Sequence, residues 1–278
     1  MFYRQLKNEL TKLYGKKRTY IGFGAFLVTQ TLMLILFKRT HWQSDLERLL
    51  DTNGYVPEEF ITALTVSIQM LLPQLLLMMP LYATLVGGDL VAKEAEDGTL
   101  RMILSRPISR FRLLLVKWVA GIIFGSTLSI TLGATALLFA RIMFPWGSMF
   151  VFVPGQAFFV MSGSTGLECY ALAQVALAVN TACILSVAYM FSCFNMKPAS
   201  ATILGLSFVF MSMVMENIPF FESYQEWFIT HHFRCWLLMF HDPIPWAEFF
   251  QSEIVLVAVS VTAFVIGTMA FQVRDIKS

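Results

Sequence analysis

KEAEDGTLRMILSRPISRFRLLLVKW, residues 93–118, holds the densest cluster of charges in a chain that is otherwise strongly apolar. Acids come first, a Gly-Thr pair follows, and bases around a proline precede a long apolar run. Of the 278 residues, 57% are hydrophobic and only 14% are charged, whereas an ordinary soluble domain carries about 25% charged residues. The composition indicates an integral membrane protein. The net charge of +2 is too small to indicate nucleic-acid binding.

Six apolar segments are long enough to cross a bilayer, because a membrane-spanning helix needs about 20 mostly apolar residues. The predicted spans are 19–37, 60–88, 112–140, 168–194, 199–216 and 252–272. We therefore expect an all-α membrane protein in which residues 1–278 form a single transmembrane domain. Pro73 and Pro80 fall in the second span, where each removes a helix hydrogen bond, and we expect a kink there.

The basic residues predict the orientation of the spans. Fifteen of the 20 lie in the N-terminal arm, the loops after spans 2 and 4, and the C-terminal tail. The positive-inside rule places that side in the cytoplasm, so both termini are predicted to be cytoplasmic. Twelve of the 18 acids fall on the other side, which agrees with this orientation.

The N-terminal arm, residues 1–18, combines an apolar stripe at helical spacing with a basic face. The stripe consists of Phe2, Leu6, Leu10 and Leu13. We expect an interfacial helix that lies on the inner leaflet with its bases near anionic lipid. An ordinary flanking helix with orienting charges is the alternative.

The long segment before the last span, 217–251, is strongly aromatic but too short and too charged to cross the membrane. It predicts outer interfacial or re-entrant helices, held at headgroup depth by Trp227, Trp236 and Trp246. His231 and His232 are adjacent in sequence, so their side chains point in different directions on a helix. This spacing gives no support for a metal site.

The four cysteines show no CxxC spacing, and we interpret them as buried small hydrophobes. They are Cys169, Cys183, Cys193 and Cys235. A disulfide between Cys169 and Cys235 remains an alternative, because the predicted topology puts both on the outer side.

Ionisable residues are nearly missing from the spans, since charges such as Lys117 and Arg141 fall at the span ends. Intramembrane acids or histidines would mark a proton relay or an ion-coupled carrier, so the pattern argues against those classes. The sequence contains no GxxxxGK[ST] motif, which excludes ATP binding through a P-loop. We interpret SGSTG, residues 162–166, as an outer loop. No enzyme is predicted.

Polar and proline residues within the spans have two interpretations. Their amides can form helix–helix hydrogen bonds, or the residues can line a pathway or act as a hinge. The candidates for a pathway or hinge are Gln69, Pro73, Gln74, Pro80 and Asn180.

The charged loop itself predicts a short surface helix between two breaks. Gly98 ends the preceding helix, Thr99 can cap a new one, and Pro107 stops it. Ser109 is then a plausible N-cap for the third span. The short helix presents three apolar residues on one side: Leu100, Ile103 and Leu104. Such a loop favours a docking element for a cytoplasmic partner, with a solvated orienting turn as the alternative.

The pattern E-x-E-D-G-T-L-R-x-x-L-S-R-P-I-S-R-x-x-x-L-x-x-K, residues 94–117, resembles the loop of type-2 ABC exporter permeases. The basic N-terminus, the long outer segment and the terminal FQVRDIKS extend the resemblance over the whole chain. Permeases of that family have six spans. Their cytoplasmic coupling helix between spans 2 and 3 fits a cleft on a separate ATPase subunit.

The resemblance implies a set of ATPase-docking residues in the coupling helix and its flanks. They are Glu94, Glu96, Asp97, Gly98, Thr99, Leu100, Arg101, Ile103, Leu104, Arg106, Pro107 and Arg110. It also implies two copies of a cytoplasmic ABC ATPase that carry ATP and Mg²⁺, with no cofactor on this chain. A second permease, identical or related, would complete the pathway. The expected location is the plasma membrane, in bacteria the inner membrane, with lipid as the surrounding partner.

One alternative belongs to a different class. The same loop in a membrane scaffold or assembly factor would recruit a soluble protein other than an ATPase, and the chain would then transport nothing.

Overall fold

The computed structural model of the chain describes residues 2–104, 109–153 and 157–273. Helices account for most of this part. In chain order they are α1 (Phe2–Gly15), α2 (Lys17–Arg39), α3 (Trp42–Thr52), α4 (Pro57–Phe60), α5 (Ala63–Pro73), α6 (Met79–Glu96), α7 (Thr99–Leu104), α8 (Arg110–Met143), α9 (Gly163–Cys193), α10 (Pro198–Glu216), α11 (Ile229–His232) and α12 (Trp246–Val273).

Six membrane-spanning helices are confirmed within the described residues, by length and composition. The second span is the continuous run of α5, a π-helical turn over Gln74–Met78, and α6. The others are α2, α8, α9, α10 and α12. The fourth span begins at Gly163, so the interpretation of 162–166 as a loop was wrong for all but its first residue. Ser162 stands at the N-cap position, and the first turn of the helix tolerates the glycines that suggested a loop.

Helix α9 is the centre of the bundle, because α6, α8, α10 and α12 all pack against it. Small residues allow the closest approaches. Gly87 of α6 and Gly205 of α10 both contact Ala188 of α9, and small residues at such crossings let helix backbones come together in membranes. By contrast, few residues of α2 and α10 are buried, 22% of the apolar stretch in each.

An antiparallel hairpin of β1 (Met149–Val153) and β2 (Ala157–Met161) lies between spans 3 and 4. It packs on the start of α5, where the backbone N–H of Phe150 donates to the Thr65 hydroxyl at 2.9 Å. The hairpin was not predicted from the sequence. Its signal was present as two aromatic and β-branched runs on either side of the letters PGQ. The hairpin marks the far end of the bundle, opposite the charged loop.

Helix α1 confirms the predicted N-terminal helix, and its apolar stripe packs against the bundle. Leu13 is buried, and Leu6 and Leu10 are half-buried against the core. The ring of Tyr14 lies 5.2 Å from that of Phe124 in α8. The stripe therefore attaches α1 to the protein.

The segment before the last span folds into two 3₁₀ helices, Pro219–Trp227 and Phe233–Phe240, on either side of α11. Trp227 is 84% exposed and Trp246 is 46% exposed, but Trp236 is only 7% exposed. The prediction that Trp236 anchors the segment at headgroup depth was therefore wrong. Its 3₁₀ helix packs against α9, and this contact turns the indole into the core.

All four cysteines are buried and free. This confirms their interpretation as small hydrophobes, and the Cys169–Cys235 disulfide does not form.

Candidate functional site: the loop after the second span

The break at Gly98 is confirmed. Its φ of +71° lies in the left-handed region that glycine adopts without steric cost. The N–H of Asp97 donates to Lys93 O at 2.9 Å, and the N–H of Gly98 donates to Ala95 O at 3.3 Å. These bonds satisfy carbonyls that the end of α6 would otherwise leave free. The chain reverses here and starts α7.

Thr99 does not act as the predicted cap of the new helix. It is the first residue of α7, and its hydroxyl donates to Glu94 O at 3.3 Å. The reversal at Gly98 brings this hydroxyl back to the free carbonyls at the end of α6. Thr99 therefore joins α7 to α6.

Helix α7 has a buried side and an exposed side. Leu100 is 3% exposed and belongs to the main core, and Ile103 is half-buried against the same core. Met102 is 67% exposed. Arg101 and Leu104 belong to the helix, but their side chains lie outside the described part of the structure. Arg106 and Pro107 lie outside the described residues.

The third span begins where the sequence predicted. The Ser109 hydroxyl accepts a hydrogen bond from the Arg112 N–H at 3.3 Å, which is the contact of an N-cap. Arg110 follows, and its guanidinium donates to Gln272 O of α12 at 3.2 Å. The start of the third span is thereby joined to the end of the sixth.

Two of the three acids before the break are exposed. Glu96 and Asp97 both pair with Lys93, at 2.8 Å and 3.2 Å. Glu96 and Asp97 are exposed at the end of α6, where such pairs contribute little to stability. Their charges are available to a partner.

The third acid, Glu94, points the other way. Its side chain is only 7% exposed, and its Oε1 lies 2.7 Å from Nζ of Lys117 in α8. Lys12 of α1 pairs with the same oxygen. Lys117 is 1% exposed and also contacts Glu9 of α1, with Nζ 3.1 Å from Oε2. We call Glu9, Lys12, Glu94 and Lys117 the buried charge cluster.

A second ion pair joins the same region, with Arg18 Nη1 2.9 Å from Asp89 Oδ2. Lys16 lies between the two groups of charges. Burial lowers the pKa of the Lys16 ammonium, Asp89 opposes this shift, and Lys12 adds to it. The N-terminal arm thus contacts the end of the second span at two places.

The buried charge cluster was not predicted from the sequence, because its members come from three separate segments. Lys117 was predicted to lie at a span end, although this lysine lies inside α8 and is buried there. A signal was present: Lys117 stands between Val116 and Trp118 in an apolar run, and a lysine in such a run is buried only with a partner.

The second span changes geometry between its two prolines. Pro73 ends α5, and the N–H of Met79 donates to Gln74 O, which is the i to i+5 bond of a π-helical turn. Pro80 occupies the first turn of α6, where a missing N–H is tolerated. A π-helical turn thus lies where a kink was predicted.

The candidate amides all contact another element. Gln69 donates to Phe152 O of β1 at 3.1 Å, and Asn180 donates to Phe233 O at 2.9 Å. Gln74 is fully buried, and its side-chain oxygen lies 3.5 Å from the amide nitrogen of Gln30 in α2. These contacts favour the interpretation that the amides join packed elements through hydrogen bonds. A pathway role for these residues stays a prediction.

The far end carries another group of charges. Glu216, at the end of α10, is 2% exposed at its side chain and lies 2.7 Å from Arg234 Nη2 and 3.8 Å from His231 Nδ1. Both ring nitrogens of His232 are in hydrogen bonds, with Ser252 and with a backbone carbonyl. Within the described residues, no group of three or more His, Cys, Asp or Glu side chains is placed to hold a metal ion.

Comparison with known proteins adds a family to this geometry. The family model described as ABC-2 family transporter protein matches residues 12–234. The match begins in α1, includes the whole charged loop and ends in the second 3₁₀ helix. No curated protein matches the chain.

Proposed function

Because the chain belongs to the ABC-2 transporter family, as an integral membrane permease, we propose that it is the permease subunit of an ATP-driven exporter. It receives the motion of a separate ATPase through residues 93–110. Two copies of the ATPase bind ATP and Mg²⁺, and two permeases, identical or related, form the pathway between them. The chain itself carries out no catalysis.

The two-sided character of α7 is the observation that carries the proposal. Leu100 attaches the helix to the core, and Met102 is exposed on the other side. Glu96 and Asp97 add exposed negative charge next to it. A helix fixed to the bundle on one side and accessible on the other is suited to pass force from a docked partner.

We infer two tasks for the docking residues in this proposal. Glu96 and Asp97 face the partner, together with Met102. Glu94, Thr99 and Leu100 hold the loop to the bundle, so their contribution to docking is indirect. The assignments of Arg101, Leu104, Arg106 and Pro107 to the partner-facing set rest on the family resemblance.

The motion would travel along the second span, which is continuous with the loop. When the ATPase closes around nucleotide, it displaces α7, and α6 moves with it. The π-helical turn at Gln74–Met78 is the weakest point of that span, because its hydrogen bonds are rearranged between two prolines. The bundle then alternates between inward-facing and outward-facing states, with both chain termini in the cytoplasm of the cell.

The exposed faces of α2 and α10 support the paired arrangement. Few residues of either helix are buried within one chain, and lipid or a second permease would cover the exposed apolar ones. We expect the second permease to cover part of this exposed surface.

Co-purification with an ATPase tests the proposal. The chain is expressed together with a candidate ABC ATPase from the same genome, and the amount of ATPase that co-purifies with the permease is measured. Charge reversal by Glu96→Lys with Asp97→Lys should remove most of the ATPase. The matched control is Glu58→Lys with Glu59→Lys, two exposed acids within α4 at the far end, which should retain it.

The scaffold alternative makes a different prediction. A scaffold would co-purify with a soluble protein that has no P-loop, and it would not stimulate ATP hydrolysis. Equal recovery of the ATPase with the loop variant and with wild type would contradict docking at this loop.

A further inference from the structure

Lys117 contacts acids from two different helices although its side chain is only 1% exposed. It joins Glu94 of α6 to Glu9 of α1, and Lys12 of α1 pairs with Glu94 from the other side. An isolated charge in such a position is very costly, so a buried lysine requires its partners. The buried charge cluster therefore joins α1, α6 and α8 at one point.

This point lies at the base of the loop that carries α7. Glu94 precedes the break at Gly98 by one helical turn, and Lys117 follows Ser109 by about two turns. The chain leaves the cluster, forms α7 and returns to it. Whatever moves α7 therefore acts directly on the cluster.

A buried ion pair is weak support for stability, because apolar side chains of similar volume often replace it without loss. Its better-attested use is to specify one arrangement of the helices. In the buried charge cluster, two acids balance two bases. A slide of α6 against α8 would separate Lys117 from Glu94, so the register in which these two buried charges pair is favoured over its neighbours.

We propose that Lys117 is a positioning residue for the coupling between ATPase and permease. By holding Glu94 and Glu9 together, it fixes the α7 loop relative to the bundle and makes α1 move as one body with α6 and α8. This inference rests on the proposed function, and α1 becomes part of the element that the ATPase displaces.

The decisive variant is the neutral pair Lys117→Met with Glu94→Gln. It removes the buried charges together, so no uncompensated charge is left to prevent folding. Glu9 and Lys12 lie three residues apart on α1 and can pair with each other. The matched control, Arg48→Met with Asp45→Asn, removes an exposed ion pair at the far end.

A distance measurement tests the positioning without the ATPase. Spin labels are attached to cysteines that replace Tyr3 of α1 and Met102 of α7, both of which are exposed, while the native cysteines are buried. Wild type and control should give one narrow distance distribution, and the neutral pair a broad one. An equally narrow distribution in the neutral pair would overturn the inference.

ATP hydrolysis by the complex tests the consequence. Hydrolysis is normalised to the amount of ATPase that co-purifies. The neutral pair should keep its thermal stability, while permease-dependent hydrolysis per bound ATPase falls on the order of tenfold. A single Lys117→Arg variant, which keeps the positive charge, should retain much of the wild-type hydrolysis. Full hydrolysis in the neutral pair would overturn the inference. Failure of wild type to bind any ATPase would contradict the proposed function instead, and the label distances would still decide the positioning.

Discussion

Gly205 of α10 lies directly against Ala188 of α9, so closely that a side-chain carbon at Gly205 would be 2.9 Å from the Ala188 Cβ. This separation is shorter than ordinary contact between carbon atoms. The crossing of α9 and α10 therefore depends on the missing side chain.

Gly205→Ala should accordingly destabilise the permease by about 1–3 kcal/mol through overpacking. Thermal unfolding of the purified protein in detergent measures the effect. Gly24→Ala is the matched control, because Gly24 of α2 has open space around it and alanine is the better helix former. Equal melting temperatures for Gly205→Ala and wild type would show that α10 can shift away from α9.

The π-helical turn in the second span gives a prediction about coupling. Replacing Pro73 and Pro80 with alanine restores two backbone donors, which should favour continuous α-helix and stiffen the span. We expect permease-dependent ATP hydrolysis in the reconstituted complex to fall several-fold.

Pro198→Ala serves as the control for the proline variants. Pro198 is the first residue of α10, where no intrahelical bond is lost to proline. Unchanged hydrolysis in the Pro73→Ala, Pro80→Ala protein would show that force does not pass through this turn.

His231 makes the far end sensitive to acid. Burial lowers the pKa of its imidazole, and Glu216 opposes the shift while His232 and Arg234 reinforce it. The folded protein therefore binds this proton more weakly than the unfolded chain. The contribution to stability is complete above the unfolded value near 6.5 and is lost as pH falls through the lower folded value.

Acidification from about pH 7 to pH 5 should thus lower the melting temperature of wild type more than that of His231→Gln. His41→Gln, which alters an exposed histidine, should behave like wild type. The same acid response in wild type and His231→Gln would assign the loss of stability to other groups.

The cysteines predict slow alkylation of the folded protein. All four are buried and free, and burial raises the pKa of the Cys235 thiol, with Glu253 adding to the rise. Since the thiolate is the reactive form, N-ethylmaleimide at neutral pH should label none of them quickly. Mass spectrometry after unfolding without reductant should show four labels. Two labels would instead indicate a disulfide.

The spans and the break at Gly98 could be predicted because each depends on local sequence. Apolar length defines a span, and a Gly-Thr pair after a run of helix formers marks an end. Ser109 could be predicted as the N-cap of α8 for the same reason. These features need no knowledge of the neighbouring helices.

The direction of a side chain at the loop could not be predicted in this way. Glu94, Glu96 and Asp97 are three acids in four positions, yet Glu94 alone turns inward because Lys117 and Lys12 lie on that side. Trp236 shows the same dependence, since contact with α9 determines its burial. The burial of these side chains depends on tertiary packing, and a single sequence does not show which helices pack together.

A photo-crosslinking experiment tests docking at α7 most directly. A photoreactive amino acid replaces Met102 in one protein and Trp227 in another, because both side chains are strongly exposed but lie at opposite ends of the bundle. If the ATPase docks at α7, illumination of the complex joins the ATPase to the permease from position 102 and not from position 227. Capture from position 227, or from neither position while the ATPase still co-purifies, would contradict it.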